Sequence, residues 1–134
     1  MSTRSRIGIA NEDGTVTSIY CHFDGYPEHN GKILTKYWTD VAKLKQLMAL
    51  GDVSVLGKEI GEKQDFDNRT NKDWCLAYGR DRGEDGVDAM EHHSVPYFLY
   101  NGEEYNYLFQ DGKWICFAGK RIKDQINLNE YVGA

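Results

Sequence analysis

The chain has 134 residues, a formal charge of −5, and is 40 % hydrophobic and 13 % aromatic. That is enough apolar material for the core of a single domain over 1–134, and the mild acidity excludes a general nucleic-acid coat, which needs a basic stripe. No apolar run reaches the length of a membrane span, and Met1 to Arg6 lack the apolar region of a secretory signal, so the expected location is cytoplasmic.

Residues 4–10 and 15–23 read as two strands around Asn11-Glu12-Asp13-Gly14, and Asp-Gly is a strong hairpin dipeptide. Closing on Asp13-Gly14 pairs Ile7 with Tyr20 and Ile9 with Ser18. Ile7, Ile9, Val16, Tyr20 and His22 then share one face, and Ile19, Cys21 and Phe23 the other. Asp24-Gly25-Tyr26-Pro27 is a turn. Asn30 is placed to cap a helix over 32–38 with Ile33, Leu34, Tyr37 and Trp38 on one stripe. Thr39 is placed to cap a second helix, in which Val41, Leu44, Leu47 and Met48 recur at helical spacing. Lys43, Lys45 and Gln46 fill its wet side, and Gly51 ends it. Residues 51–61 form a glycine-punctuated connector, and 62–73 a polar, exposed loop.

From residue 95 to 118 the pattern predicts a three-stranded meander: 97–100, Asn101-Gly102, 104–110, Asp111-Gly112, 113–118. Its last turn pairs Phe109 with Trp114 and Tyr107 with Cys116. Tyr105, Tyr107, Phe109, Trp114 and Cys116 line one face; Leu108, Ile115 and Phe117 line the other. A short helix is expected near 124–131. The fold class is therefore α+β: an N-terminal β-hairpin and a C-terminal three-stranded antiparallel meander, in one mainly antiparallel sheet or two small ones, with one or two helices packed on a face. Large apolar groups on both faces of the meander predict a homo-oligomer, with a second subunit on one face. Cys21, Cys75 and Cys116 form no CxxC pair and sit in apolar or aromatic neighbourhoods, which predicts buried free thiols.

The densest chemistry lies in Trp74-Cys75-Leu76-Ala77-Tyr78-Gly79-Arg80-Asp81-Arg82-Gly83-Glu84-Asp85-Gly86. Read as extended chain, it puts Arg80 and Arg82 on one side. Two guanidinium groups suit a phosphate or carboxylate, with Asp81 or Glu84 orienting one of them, and the glycines let backbone approach a ligand. The alternative is an internal ion-pair network that pins the loop. A second cluster is His22 and Asp24 at a strand end, suited to a base with its orienter, to polar ligand contacts, or to backbone bonding. Tyr20, Tyr26 and Tyr78 are candidates to stack on a base. His92-His93 has no metal-ligand spacing, so no metal and no cofactor is expected. The meander's aromatic face lacks interleaved cations, which makes nucleic acid an unlikely partner. No nucleophile-elbow, P-loop or dinucleotide motif is present.

The blocks Ser2-Thr3-Arg4-Ser5-Arg6-Ile7-Gly8-Ile9, Tyr20-Cys21-His22-Phe23-Asp24-Gly25-Tyr26-Pro27, Leu50-Gly51-Asp52 and Ala77-Tyr78-Gly79-Arg80-Asp81-Arg82-Gly83-Glu84 resemble a group of small uncharacterised proteins encoded by tailed phages and prophages. The resemblance implies action in the cytoplasm of an infected bacterium, where small accessory proteins often counter host defence. Three functions follow as expectations. The first is a non-catalytic binder that sequesters a small anionic, nucleotide-derived ligand through Arg80, Arg82, Asp81, Glu84, Tyr78, Tyr20, His22, Asp24 and Tyr26. The second is a protein–protein inhibitor of a host defence or replication enzyme. The third is a small phosphodiester or nucleotide hydrolase using His22, Asp24 or the His92-His93 pair.

Overall fold

The computed structural model describes residues 2–128. Its elements in chain order are β1 (Ser5–Ala10), β2 (Val16–Cys21), a π-helical turn (Pro27–Gly31), α1 (Lys32–Tyr37), α2 (Val41–Leu50), β3 (Val53–Val55), β4 (Leu76–Ala77), α3 (Tyr78–Arg82), β5 (Met90–His92), α4 (Val95–Tyr100), β6 (Tyr105–Gln110), β7 (Lys113–Phe117), a 3₁₀ turn (Ile122–Asp124) and β8 (Gln125–Ile126). The fold is α+β. All eight strands join one sheet in the order β4-β3-β2-β1-β6-β7-β8, with β5 also on β2. The pairing is mainly antiparallel, but β1–β6 and β2–β3 are parallel.

The first hairpin forms with a register one residue away from the expected one. Ile7 pairs with Ile19 and Ile9 with Thr17. The cause is the turn. Asn11 N–H donates to the Thr15 carbonyl (2.8 Å) and Gly14 N–H to the Asn11 carbonyl (3.1 Å), so the loop holds Glu12, Asp13 and Gly14. Asp13 Oδ1 accepts from Thr15 N (3.0 Å) and Oγ1 (2.6 Å), and Gly14 alone takes positive φ, +90°. A one-residue change of register exchanges faces. Ile7, Ile9, Ile19 and Cys21 therefore share the larger core, while Val16 lies in the smaller one on the opposite face.

Helices α1 and α2 cover the larger core, with Leu34, Trp38, Leu44 and Leu47 fully buried against Ile7, Ile19, Tyr107 and Cys116. Asp40 rather than Thr39 caps α2, accepting from Ala42 N at 3.0 Å. Asn30 caps nothing by its side chain. It is buried, with Nδ2 directed at Ser5 Oγ (3.3 Å) and Cys21 Sγ (3.4 Å). Val41 is exposed, and Lys43 is not on the wet side. Its Nζ donates to the carbonyls of Tyr37 (2.8 Å) and Lys58 (2.7 Å) and lies 4.2 Å over the Trp38 ring.

The expected strand over 97–100 is instead part of α4. Ser94 Oγ accepts from Tyr97 N (3.5 Å), Pro96 occupies the first turn, and Asn101 Nδ2 donates back to the Tyr97 carbonyl (2.8 Å). A short apolar run such as Tyr97-Phe98-Leu99-Tyr100 carries no decisive period, and the capping residues settle it. Asn101-Gly102 thus ends a helix and does not turn a hairpin. The β6–β7 hairpin has the expected register, Phe109↔Trp114 and Tyr107↔Cys116. The chain's third antiparallel strand here is β8, where a helix was expected from 124; residues 129–131 of that expectation lie outside the described residues. Phe98 and Leu99 of α4 pack on Val16, Leu108 and Phe117. The apolar groups expected to meet a second subunit are therefore covered by the same chain.

Close approach of α4 depends on Gly8, where a Cβ would stand 2.9 Å from Val16 Cγ1 and 3.0 Å from the Phe98 ring. Phe98→Ala is expected to cost about 3–5 kcal/mol of stability, whereas Tyr100→Ala, at a side chain 74 % exposed, should stay within about 0.5 kcal/mol. Urea unfolding of the two variants measures the difference.

Candidate functional site

The segment expected to present two arginines is not extended. Tyr78–Arg82 is a single helical turn, in which residues two apart do not face each other. Arg80 turns inward. Its Nε donates to Asp81 Oδ1 (2.9 Å), Nη1 to the Ile60 carbonyl (2.8 Å), and Nη2 to the Cys75 carbonyl (2.8 Å) and Asp81 Oδ2 (3.2 Å). The Asp81 side chain is fully buried and also accepts from Gln64 N (3.0 Å) and Ala77 N (2.8 Å). Burial pushes the Asp81 carboxyl up, but these donors and the Arg80 charge outweigh it and hold the carboxyl below its ordinary value. Arg80 and Asp81 therefore make their hydrogen bonds within the chain, as loop anchors. They fasten the expected exposed loop over 62–73 through Gln64, which is buried and also bonds the Cys75 carbonyl (3.1 Å).

Arg82 points the other way. Its Cζ lies 4.4 Å from the Phe66 centroid and 5.0 Å from the Tyr78 centroid, and it pairs with Glu84 at the surface. The Phe66 and Tyr78 rings are 5.5 Å apart and tilted by 32°. This is a cation lying on two aromatic rings.

Strand register connects this group to Tyr20. Cys21 pairs with Val53, and Val53 with Ala77, which sets Tyr20, Asp52 and Tyr78 in one row across β2, β3 and β4. The backbone confirms the row: Tyr20 N donates to Asp52 Oδ1 (2.9 Å) and Tyr78 N to the Asp52 carbonyl (3.2 Å). On the other side of Tyr20 the row continues through Arg6 and Asn106. Burial raises the pKa of the Tyr20 phenol, with Glu103 and Tyr78 adding and Arg4 opposing. His22 Nδ1 is hydrogen-bonded to the Tyr20 hydroxyl at 2.6 Å. It is not bonded to Asp24, so the expected base-and-orienter pair does not form.

Asp24 and Tyr26 belong to a turn elsewhere. Asp24 adopts φ 58°, Gly25 N donates to the Thr3 carbonyl (2.8 Å), and the Tyr107 hydroxyl donates to the Gly25 carbonyl (2.6 Å). A side chain at Gly25 would meet Ser5 Cβ at 2.7 Å, so glycine is required for that approach. Tyr26 leads into the π-helical turn, its ring near His29. Structure thus brings Tyr20, His22, Tyr78 and Arg82 toward one region and leaves Asp24 and Tyr26 out.

Two residues of the row, Arg6 and Asp52, escaped the sequence reading. Their signals were a lone arginine alternating with isoleucines in β1 and an aspartate directly after a helix-ending glycine. Arg6 is only 7 % exposed, yet it has no ion pair within 4 Å among the described residues. Its Nε donates to Ser18 Oγ (2.8 Å), and Nη2 makes a long contact with the Ser18 carbonyl (3.5 Å). Burial lowers its pKa, while Asp52 and Glu103 raise it from a distance. Ser18 Oγ also lies 2.6 Å from His92 Nε2. Because Arg6 can only donate, we assign the Ser18 hydroxyl proton to His92 Nε2. His92 is held neutral: burial lowers its pKa first and the Arg6 charge second. The three thiols are buried and free as expected. Burial pushes Cys21 and Cys75 up to about 11 and Cys116 to about 12. Among the described residues no group of three or more potential metal ligands comes together.

No protein-family model, no curated protein and no solved structure matches the chain.

Two measurements check this geometry. Asp81→Asn should cost roughly 3–5 kcal/mol at neutral pH, the usual effect of breaking a buried ion pair. A lowered carboxyl pKa stabilises above the ordinary aspartate value and is lost as pH falls through the lower folded value, so the unfolding curves of wild type and variant should converge in acid. By ¹⁵N NMR, His92 should show an unprotonated Nε2 at neutral pH and should charge only below the ordinary histidine value of 6.5.

Proposed function

We propose that the protein is a non-catalytic binder of a small anionic, nucleotide-derived ligand, held along the polar row on the sheet face opposite α1 and α2. The observation that carries this reading is Arg6. A guanidinium taken out of water without a counter-ion is costly, and an anion reaching it supplies the missing partner with charge-assisted hydrogen bonds. Tyr20 and Tyr78 stand in the same row, and Phe66 and Arg82 extend Tyr78 into a surface on which a base stacks.

Catalysis has little support in the same geometry. The thiols are buried with raised pKa values, which makes them poor nucleophiles. Ser18, the hydroxyl beside a histidine, is fully buried. Action by sequestration agrees with the resemblance to phage-encoded proteins: such a binder would withdraw a host defence signal without converting it.

One observation favours a second reading, an inhibitor of a host protein. Met90, Tyr97 and Tyr100 are 45 %, 57 % and 74 % exposed on β5 and α4, and exposed tyrosines are frequent anchors of protein interfaces.

The experiment is mass spectrometry of small molecules released by heating protein purified from its host. The binder predicts an intact nucleotide-like anion from the wild type and its loss from Arg6→Gln and from Tyr78→Ala, with circular dichroism showing both variants folded. An empty wild-type sample together with a stoichiometric protein partner, lost in Tyr97→Ala/Tyr100→Ala, would replace this reading with the second.

A further inference from the structure

We infer that the site prefers guanine over the other bases, with Asp52 reading the base. This inference rests on the binding reading above and names its ligand more closely.

Asp52 sits between Tyr20 and Tyr78 across neighbouring strands. Its backbone is fixed on both sides: the amide donates to the Val87 carbonyl (2.8 Å) and the carbonyl accepts from Tyr78 N. The carboxylate is fixed by Tyr20 N on Oδ1. Oδ2 has no hydrogen bond and no ion pair within 4 Å among the described residues. The residue is half-buried, and Arg6 acts on it only from a distance. The row therefore presents a carboxylate held at Oδ1, with Oδ2 able to accept, set between Tyr20 and Tyr78 in the strand register.

An ionised carboxylate only accepts hydrogen bonds. A base placed against it must offer N–H groups and must not present a lone pair beside them. The Watson–Crick edge of guanine carries two adjacent donors, N1–H and the N2 amino group, with no lone pair between them, so one bonds Oδ2 while the other shares Oδ1 with Tyr20 N on its second lone pair. Adenine and cytosine each set one amino donor beside an unprotonated ring nitrogen, and uracil sets one N–H between two carbonyls. Each of these brings an acceptor against the carboxylate, and an unpaired or repelled polar group is what separates near-isosteric ligands most strongly. The polarity of the row then fixes the ligand's direction. Arg6 lies two strands from Asp52, roughly 10 Å at the usual strand spacing, which is the scale of a nucleoside monophosphate. The base lies at Asp52 and the phosphate toward Arg6.

Isothermal titration of the full chain with GMP, IMP, AMP and CMP tests this. GMP is expected to bind at least about tenfold more tightly than AMP or CMP, as one bidentate base contact provides. IMP, which lacks the N2 amino group, should fall between. Asp52→Asn keeps an oxygen for Tyr20 N but turns the vacant acceptor into a donor, so it should reduce the GMP preference to within about threefold while phosphate-dependent binding persists. Binding of all four nucleotides with equal affinity, or an AMP preference, would overturn the guanine assignment and leave the binding reading standing. No binding of any nucleotide by folded protein would overturn the binding reading itself.

Discussion

A single buried carboxylate organises one side of this molecule. Asp81 lies in a one-turn helix that has too few hydrogen bonds to stand alone, and it gathers donors from three directions: Gln64 N, Ala77 N and the Arg80 guanidinium. Arg80 carries the connection on to the carbonyls of Ile60 and Cys75. Residues far apart in sequence and poor in apolar groups are thus held by charge-assisted hydrogen bonds, where a larger domain would use a core. The Tyr78–Phe66–Arg82 stack and the Tyr78 end of the polar row both inherit their positions from this knot. Burying an ion pair is a poor way to gain stability, but here it fixes where an arginine and two aromatic rings face the solvent.

The sheet divides its labour by face. Side chains of one parity enter the core under α1 and α2, while those of the other parity meet α4 at one end and form the polar row at the other. Arg6 and Gly8 are successive members of the second set, and they show the division at its boundary. Gly8 makes room for Phe98, and Arg6 brings a charge to the place where the apolar cover ends. In the Arg6–Ser18–His92 chain at that boundary the Ser18 hydroxyl accepts from Arg6 and donates to His92, so the histidine serves as an acceptor and not as a base.

How much of this was legible in the sequence depended on which atoms decide each feature. Two Asp-Gly turns show the contrast. At Asp111-Gly112 both residues take positive φ, 54° and 76°, the two-residue turn that the dipeptide favours, and the register of β6 with β7 follows from counting. At Asp13-Gly14 the Asp13 side chain binds Thr15, lengthening the loop by one residue and exchanging the faces of the whole hairpin. Buried thiols, the α+β class and the start of a helix near 32 were readable from composition and period. Helix α4 was readable only through Ser94 and Pro96, because the run between its caps suits either structure. Of the candidate site, Tyr20, His22, Tyr78 and Arg82 stood out as residue types, but Arg6 and Asp52 became visible only when parallel pairing put four strands side by side. Arg80 could not be told from Arg82 by type, since the turn of α3 alone decides which one faces inward.

The parallel pairing of β1 with β6 has a consequence for how the chain comes together. Ser5 lies opposite Tyr105 and Ile9 opposite Phe109, so β1 waits about a hundred residues for its second neighbour. Until then its outer edge, with its row of unpaired backbone groups and Ile7 and Ile9 beside it, is open to any other strand that passes. Closing so long a loop costs entropy that local contacts do not repay early. The centre of the finished sheet is thus a seam that cannot be joined before β6 has been made, although both strands of the hairpin it completes are made long before.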